Sequence, residues 1–405
     1  MGYCQTFFFA KLAKQVIIER KTREKRGMGM GVLDGLRVLD MSRLLPGPYC
    51  TRMLADMGAE VIKIEEPVRG DYSREFVPRR KDFSCWFMEV NRNKKSVALD
   101  LKLPAAKKQF LELVKTAAVV VESYRPGVLK KLGVDYATAK KVNPQIVYCS
   151  ITGYGQKGPY HKDADHDMGY AALAGVVSMS GAKDGAPAIP GFPLVDMHAS
   201  ALAGMAILGA VRHAEKTGEG QEIQLSLFDA ALDLMPGVAA AYFGDGTIHQ
   251  RGNNWLTGTR PNYNIYETKD HRYITVACLE AKFWHNLCRV IGKPEWEKLI
   301  EKQEHNPKLI QGLQEIFCQK TLQEWIGIFA GQDACVRPVL NFAEAVALPQ
   351  AVEDHMVLTI KDPELGTYQQ MGFPLKFSAT PCTYKKRAPR LGEDTDKILK
   401  KNKGE

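Results

Sequence analysis

Residues 35–66 read GLRVLDMSRLLPGPYCTRMLADMGAEVIKIEE. GLRVLDM (35–41) is an apolar, β-branched run of strand type. YCTRMLADMGA (49–59) has helical spacing and ends at Gly58, and EVIKIEE (60–66) is a second strand. Strand, helix and strand in one short stretch make a βαβ unit, which predicts a parallel sheet. The joining loop SRLLPGPYC (42–50) lacks the GxGxxG of dinucleotide-binding folds, and the chain has no GxxxxGK[ST]. NAD and P-loop chemistry are disfavoured, while the strand ends of a parallel sheet still offer binding crevices.

Working outward, KSVALDL (95–101), AVVVESY (118–124) and QIVYCSITG (145–153) read as further buried strands. PAAKKQFLELVKTA (104–117) is an amphipathic helix opened by proline, and 196–215 is a helix rich in Ala, Gly and Leu. After Gly218–Gly220 the texture changes. A Gly/Asn/Thr-rich stretch (244–264) precedes a hairpin over 263–280 with its turn at Lys269–Asp270. Helical segments are expected at 281–292 and 308–330, and a strand pair within 355–372. The resulting division is a disordered extension at 1–32, an α/β domain at 33–225, a smaller α+β domain at 226–345, and a return to the large domain at 346–405.

The chain has 405 residues and is 45% apolar, enough for a large core. Its net charge of +9 is uneven: residues 1–29 hold seven Lys/Arg against two Glu, leaving +4 for the rest. That modest balance suits an anionic small molecule at least as well as a nucleic acid, and no nucleic-acid partner is expected. The nine cysteines are scattered, with no CxxC and no metal-ligand spacing, so they read as reduced thiols of a cytoplasmic protein without a metal. No unbroken apolar run reaches 18 residues, and no membrane span is expected.

Residues 163–175 read DADHDMGYAALAG. Asp and His before a small apolar run are ordinary helix-start residues. They are also acid–base residues, and capping by Asp167 is compatible with chemistry at His166.

Several blocks together resemble the class III coenzyme A transferases and racemases, the CaiB/BaiF superfamily. They are residues 35–65, NRNKKSVALDLK, VVVESYRPGVLKKLGV, NPQIVYCSITGYGQKGPY and KTGEGQEIQLSLFDA, in the family's order. The resemblance spans about 33–395 and implies a Rossmann-like α/β large domain, a smaller α+β domain and an intertwined homodimer. HDMGYAALAG is most similar to the α-methylacyl-CoA racemases. That likeness implies catalytic roles for His166, Asp167, Asp196 (30 residues after His166, the family's separation) and Glu280, the last orienting His166 or adjusting its charge.

A racemase next to a thioester carbonyl needs two bases on opposite faces of one carbon. Imidazole and carboxylate both serve if the site brings their proton affinities together. Helix-start N–H groups near His166 would face the enolate oxygen. The rival activity within the family, acyl-CoA:carboxylate CoA transfer, uses the residue matching Asp196 as nucleophile. Asp196 fits both; His166, where several transferases place Tyr, favours the racemase. A family member that only binds CoA esters would be expected to lack one of the two, and both are present.

The resemblance implies no permanently bound cofactor, with a CoA thioester as substrate. It implies CoA contacts at Lys102, Arg125 and Lys131 for phosphates, and at Leu45, Pro46 and Tyr124 near the adenine. Several relatives carry Arg where this chain has Glu66, so either another residue such as Arg69 or Arg74 substitutes or that contact is lost.

Overall fold

The computed structural model describes residues 31–401. The expectation of a disordered extension falls, up to Met30, outside the described residues. The chain forms two compact units: one of the described residues through Lys162 with Ala199–Ser226 and Asp354 onward, the other of Asp163–His198 and Leu227–Glu353. Residues 163–198, placed with the large domain on sequence, thus group with 227–353. The local reason is that α3 (Asp167–Leu173) packs against α5 (Leu227–Asp233).

The first unit is built on six parallel strands. They are β1 (Arg37–Asp40), β2 (Glu60–Glu65), β3 (Lys95–Ala98), β4 (Val119–Glu122), β5 (Val147–Thr152) and β6 (Glu222–Ser226). Their spatial order is β3-β2-β1-β4-β5-β6. The order reverses between β1 and β4, the switch point at which open α/β sheets bind ligands. α1 (Pro46–Asp56) starts earlier than its apolar spacing suggested, because Pro46 sits in the first turn where its missing N–H costs nothing. Gly47 is required there: a Cβ would lie 2.2 Å from the Cβ and Oγ of Ser42. On one face Phe110, Leu113 and Val114 of α2 (Pro104–Val114) pack with Leu39, Ile62, Val97 and Val120 of the sheet. A hairpin, β10 (Val357–Asp362) and β11 (Gly366–Met371), belongs to the same unit, packing Ile360 and Tyr368 with Phe83 and Phe87.

Among the described residues, α4 (Leu194–Thr217) is the one helix long and apolar enough to cross a membrane by length and composition, a test that the core helix of a soluble protein also passes. Its composition has a local cause: Ala199, Ala203, Ile207, Ala210 and Ala214 form a fully or nearly buried stripe at three- and four-residue spacing.

The second unit carries an antiparallel sheet of β7 (Tyr263–Glu267), β8 (Tyr273–Ala277) and β9 (Val336–Pro338). The hairpin turn closes with Thr268 N–H on the Arg272 carbonyl at 2.8 Å. α7 (Ala281–Val290), α8 (Asn306–Phe317) and α9 (Leu322–Phe329) cover it around Trp284, Leu313, Phe317 and Trp325. The helix expected over 308–330 is therefore two. Thr321 and Glu324 form a reciprocal capping box that starts a new helix.

Candidate active site

His166 is the N-cap residue of α3, in extended conformation, and its imidazole makes no capping bond. The backbone is held on both sides of it. Asp165 carboxylate accepts the His166 N–H at 2.8 Å, and the buried Tyr170 donates its hydroxyl to the Asp165 carbonyl at 2.9 Å. The imidazole itself is exposed.

Asp167, the first helical residue of α3, turns its carboxylate to the start of α4. It accepts the Asp196 N–H at 2.9 Å. This satisfies one of the donors a helix start leaves open. The capping expected of Asp167 is real, but the helix it caps is α4 and not its own. Through that bond the sequence neighbours 166–167 are brought to Asp196. The Asp196 carboxyl is pushed up to about 7, first by burial and second by the like charge of Asp167. Such a group exchanges its proton near neutrality, as an acid–base catalyst must.

In the sheet unit, Lys102, Arg125 and Lys131 are exposed, as phosphate contacts need to be. Tyr124, at the end of β4, is half-buried. A cavity of about 260 Å³ opens beside it, lined among others by Glu122, Arg125, Lys130 and Tyr136. Leu45 and Pro46 do not match their expected role. Both are buried, so their side chains shape the β1–α1 turn instead of facing a ligand. Arg69 and Arg74 do not stand in for the missing arginine either. Arg69 is paired with Glu75 at 2.6 Å, and Arg74 with the buried Glu65 at 2.7 Å. Glu66 accepts the N–H groups of Val68, Arg69 and Gly70, closing its own turn.

The sequence profile of CoA-transferase family III matches residues 33–395. The chain belongs to that family. It is 33% identical over 381 residues to the succinyl-CoA:glutarate CoA-transferase of Homo sapiens, covering 91% of this chain and 85% of that one. It is 31% identical over 370 residues to the alpha-methylacyl-CoA racemase of Homo sapiens, covering 91% and 92%. A crystal structure of a CaiB/BaiF family protein from Brucella suis superposes with a TM-score of 0.81 at 28% identity, covering 92% of this chain and all of that one.

Two further residues of this family III chain bear on the site. Glu280 is the N-cap residue of α7, and its side chain is exposed. Among the described residues, no hydrogen bond or ion pair is made by its side chain. His198, read as pointing away from Asp196, pairs instead with Asp233 at 2.9 Å. Sequence reasoning also missed Arg43. It lies just beyond β1, against the rings of Tyr72 and Tyr124. Its only signal was a basic residue directly after the central strand.

Proposed function

We propose that this family III chain epimerises the α-carbon of a 2-methylacyl-CoA thioester by two-base proton transfer. The carrying observation is an Asp196 carboxyl poised near neutrality and tied through Asp167 to His166. One group takes the α-proton, and the electron pair moves onto the thioester oxygen as an enolate. The other, already protonated, returns a proton to the opposite face, so no atom is gained or lost. His166 and Asp196 exchange roles for the reverse direction. The substrate brings its own coenzyme, and the chemistry asks for no permanently bound one.

The second reading is CoA transfer between an acyl-CoA and a carboxylate, with Asp196 as nucleophile. It draws support from the human transferase at 33% identity against 31% for the racemase. A carboxyl near 7 can serve either reaction, and the His166 of this chain, where several transferases place Tyr, is what favours the epimerase. Incubation with a 2-methylacyl-CoA in deuterated water tests the choice. Deuterium is expected at the α-carbon at the same rate with or without added carboxylate. CoA exchange that needs the carboxylate, with a hydroxylamine-sensitive intermediate and no deuterium uptake, overturns it.

We read the working form as an interlocked homodimer in the cytoplasm, with no nucleic-acid partner. The helix α6 (Pro236–Asp245) buries none of its residues, although its sequence PGVAAAYFGD is mostly apolar. Its Phe243 is 82% exposed, and nearby in sequence Ile248 is 79% exposed. Apolar area of that kind favours a covering surface, and a second copy is the covering the family resemblance implies. The buried free thiols Cys50, Cys149, Cys278 and Cys288 suit a reducing compartment. Sedimentation at micromolar concentration should give about twice the 45.1 kDa chain mass; an active monomer contradicts the dimer.

A further inference from the structure

The sheet order reverses between β1 and β4, and the chain leaves these two strands as Met41–Ser42–Arg43 and Ser123–Tyr124. Arg43 N–H donates to the Ser123 Oγ at 3.0 Å, tying the two strand ends together. The Arg43 guanidinium lies 5.1 Å from the ring centre of Tyr72 and 5.0 Å from that of Tyr124. Its Nη1 donates to the Tyr72 hydroxyl at 2.9 Å and its Nη2 to the Tyr124 hydroxyl at 3.1 Å.

Two neutral hydroxyls and two ring faces orient this cation without neutralising it. Among the described residues, no carboxylate lies within ion-pair distance of Arg43. The nearby Glu66 is turned onto three backbone N–H groups. Two of five guanidinium N–H groups are used, so three remain for a ligand. Arg69 and Arg74, the other arginines of this corner, already hold carboxylates. An always-charged, planar fork held in one orientation at a switch point is built for a phosphate group. Its fixed pose removes much of the entropy cost of ordering a long side chain on binding.

We propose that Arg43, set by Tyr72 and Tyr124, is the anchor for a phosphate at the nucleotide end of the CoA thioester. This rests on the acyl-CoA reading above and adds a residue to it. Lys102, Arg125 and Lys131 are exposed by comparison, and among the described residues no hydrogen bond or ion pair orients their charged ends.

The test uses the full-length chain, calorimetric titration with CoA and with ADP, and turnover of an acyl-CoA against the matching acyl-pantetheine, which lacks the nucleotide. Arg43→Gln is expected to weaken CoA and ADP about tenfold to a hundredfold, the size of a lost charge-assisted pair. The same factor should appear in KM for acyl-CoA, with kcat unchanged, and acyl-pantetheine turnover should not move. Arg43→Lys, which keeps the charge and loses the fork, should recover only part of the affinity; it also serves if the glutamine variant does not fold. CoA and ADP binding within twofold of wild type in both variants overturns the anchor. An equal fall in acyl-pantetheine turnover also overturns it, because that marks a structural role. A wild-type chain that binds ADP through Arg43 yet is inert toward acyl-CoA supports the anchor and sinks the proposed reaction instead.

Discussion

If the chain epimerises as proposed, Asp196→Ala is expected to lower racemisation by on the order of a hundredfold or more, and His166→Ala to do the same, the usual loss when a general acid or base is removed. The two variants differ in what survives. Without His166, exchange of the α-proton with solvent persists from the enantiomer whose proton faces Asp196. Without Asp196, exchange persists from the other. Chiral analysis alongside deuterium uptake separates these outcomes. Two variants that lose exchange from both enantiomers equally contradict the two-face assignment, and transfer activity surviving in His166→Ala points to the transferase.

The pH dependence follows from the Asp196 carboxyl near 7. In the direction where Asp196 takes the proton it must be ionised, so the rate falls about tenfold per pH unit below about 7. In the reverse direction it must be protonated, so the rate falls above about 7. Asp167→Asn keeps an acceptor for the Asp196 N–H and removes the like charge, so both limbs should move to lower pH. Loss of activity is not loss of fold. Burial and Asp167 disfavour the ionised Asp196, whose folded value lies above its ordinary one, so its ionisation costs stability as pH rises between the two. Asp196→Asn removes that cost and should be at least as stable as wild type at neutral pH.

The β1–α1–β2 unit was legible because its information is local: two apolar runs, a helical period and a proline at the helix start. β6 was harder. EIQLS alternates exposed and half-buried positions at the sheet edge, and its partner β5 lies about seventy residues earlier. The break at Thr321 was visible as T-x-x-E, but the apolar period on both sides masked it. His166, Asp167 and Asp196 were readable as residue types and spacing; that Asp167 caps α4 was not, since the bond spans 29 residues. Burial that raises Asp196 is likewise a tertiary property. Arg43 gains meaning only from Tyr72 and Tyr124, which are 29 and 81 residues away. Leu45 and Pro46 failed because motif likeness located a loop without saying which side chains it turns inward.

The ionic cluster beneath that loop carries the second large effect. Asp40, fully buried at the end of β1, accepts Lys94 Nζ at 2.9 Å, the Thr51 hydroxyl at 2.7 Å and the Ser42 N–H at 3.0 Å. Lys63 Nζ lies 4.0 Å from Asp40 and 2.9 Å from Asp71, and donates to the Ser42 carbonyl at 2.8 Å. Burial opposes ionisation of Asp40, but Lys94 and Lys63 outweigh it and hold its carboxyl far below the ordinary value. Burial also brings Lys94 down to about 8, against the pull of Asp40. Asp40→Asn keeps the shape and strands the buried Lys94 ammonium, while Lys63 keeps Asp71, so it should cost about 3–5 kcal/mol at pH 7. Thr51→Val, which removes one hydroxyl bonded to charged groups, should cost about 1.5–3 kcal/mol. Asp40 contributes stability above its unfolded value, near 4, and loses it as pH falls toward the folded one. The gap between wild type and Asp40→Asn should therefore be widest near neutrality and shrink below about pH 4. From about pH 8 upward, wild-type stability should gain from Lys94, because the unfolded chain then holds the proton more tightly than the fold does. Urea unfolding of the wild type and both variants at pH 3, 7 and 9 measures all three. An Asp40→Asn variant within about 1 kcal/mol of wild type at pH 7 would mean that backbone geometry, and not this charge cluster, holds the β1–α1 turn on which Arg43 stands.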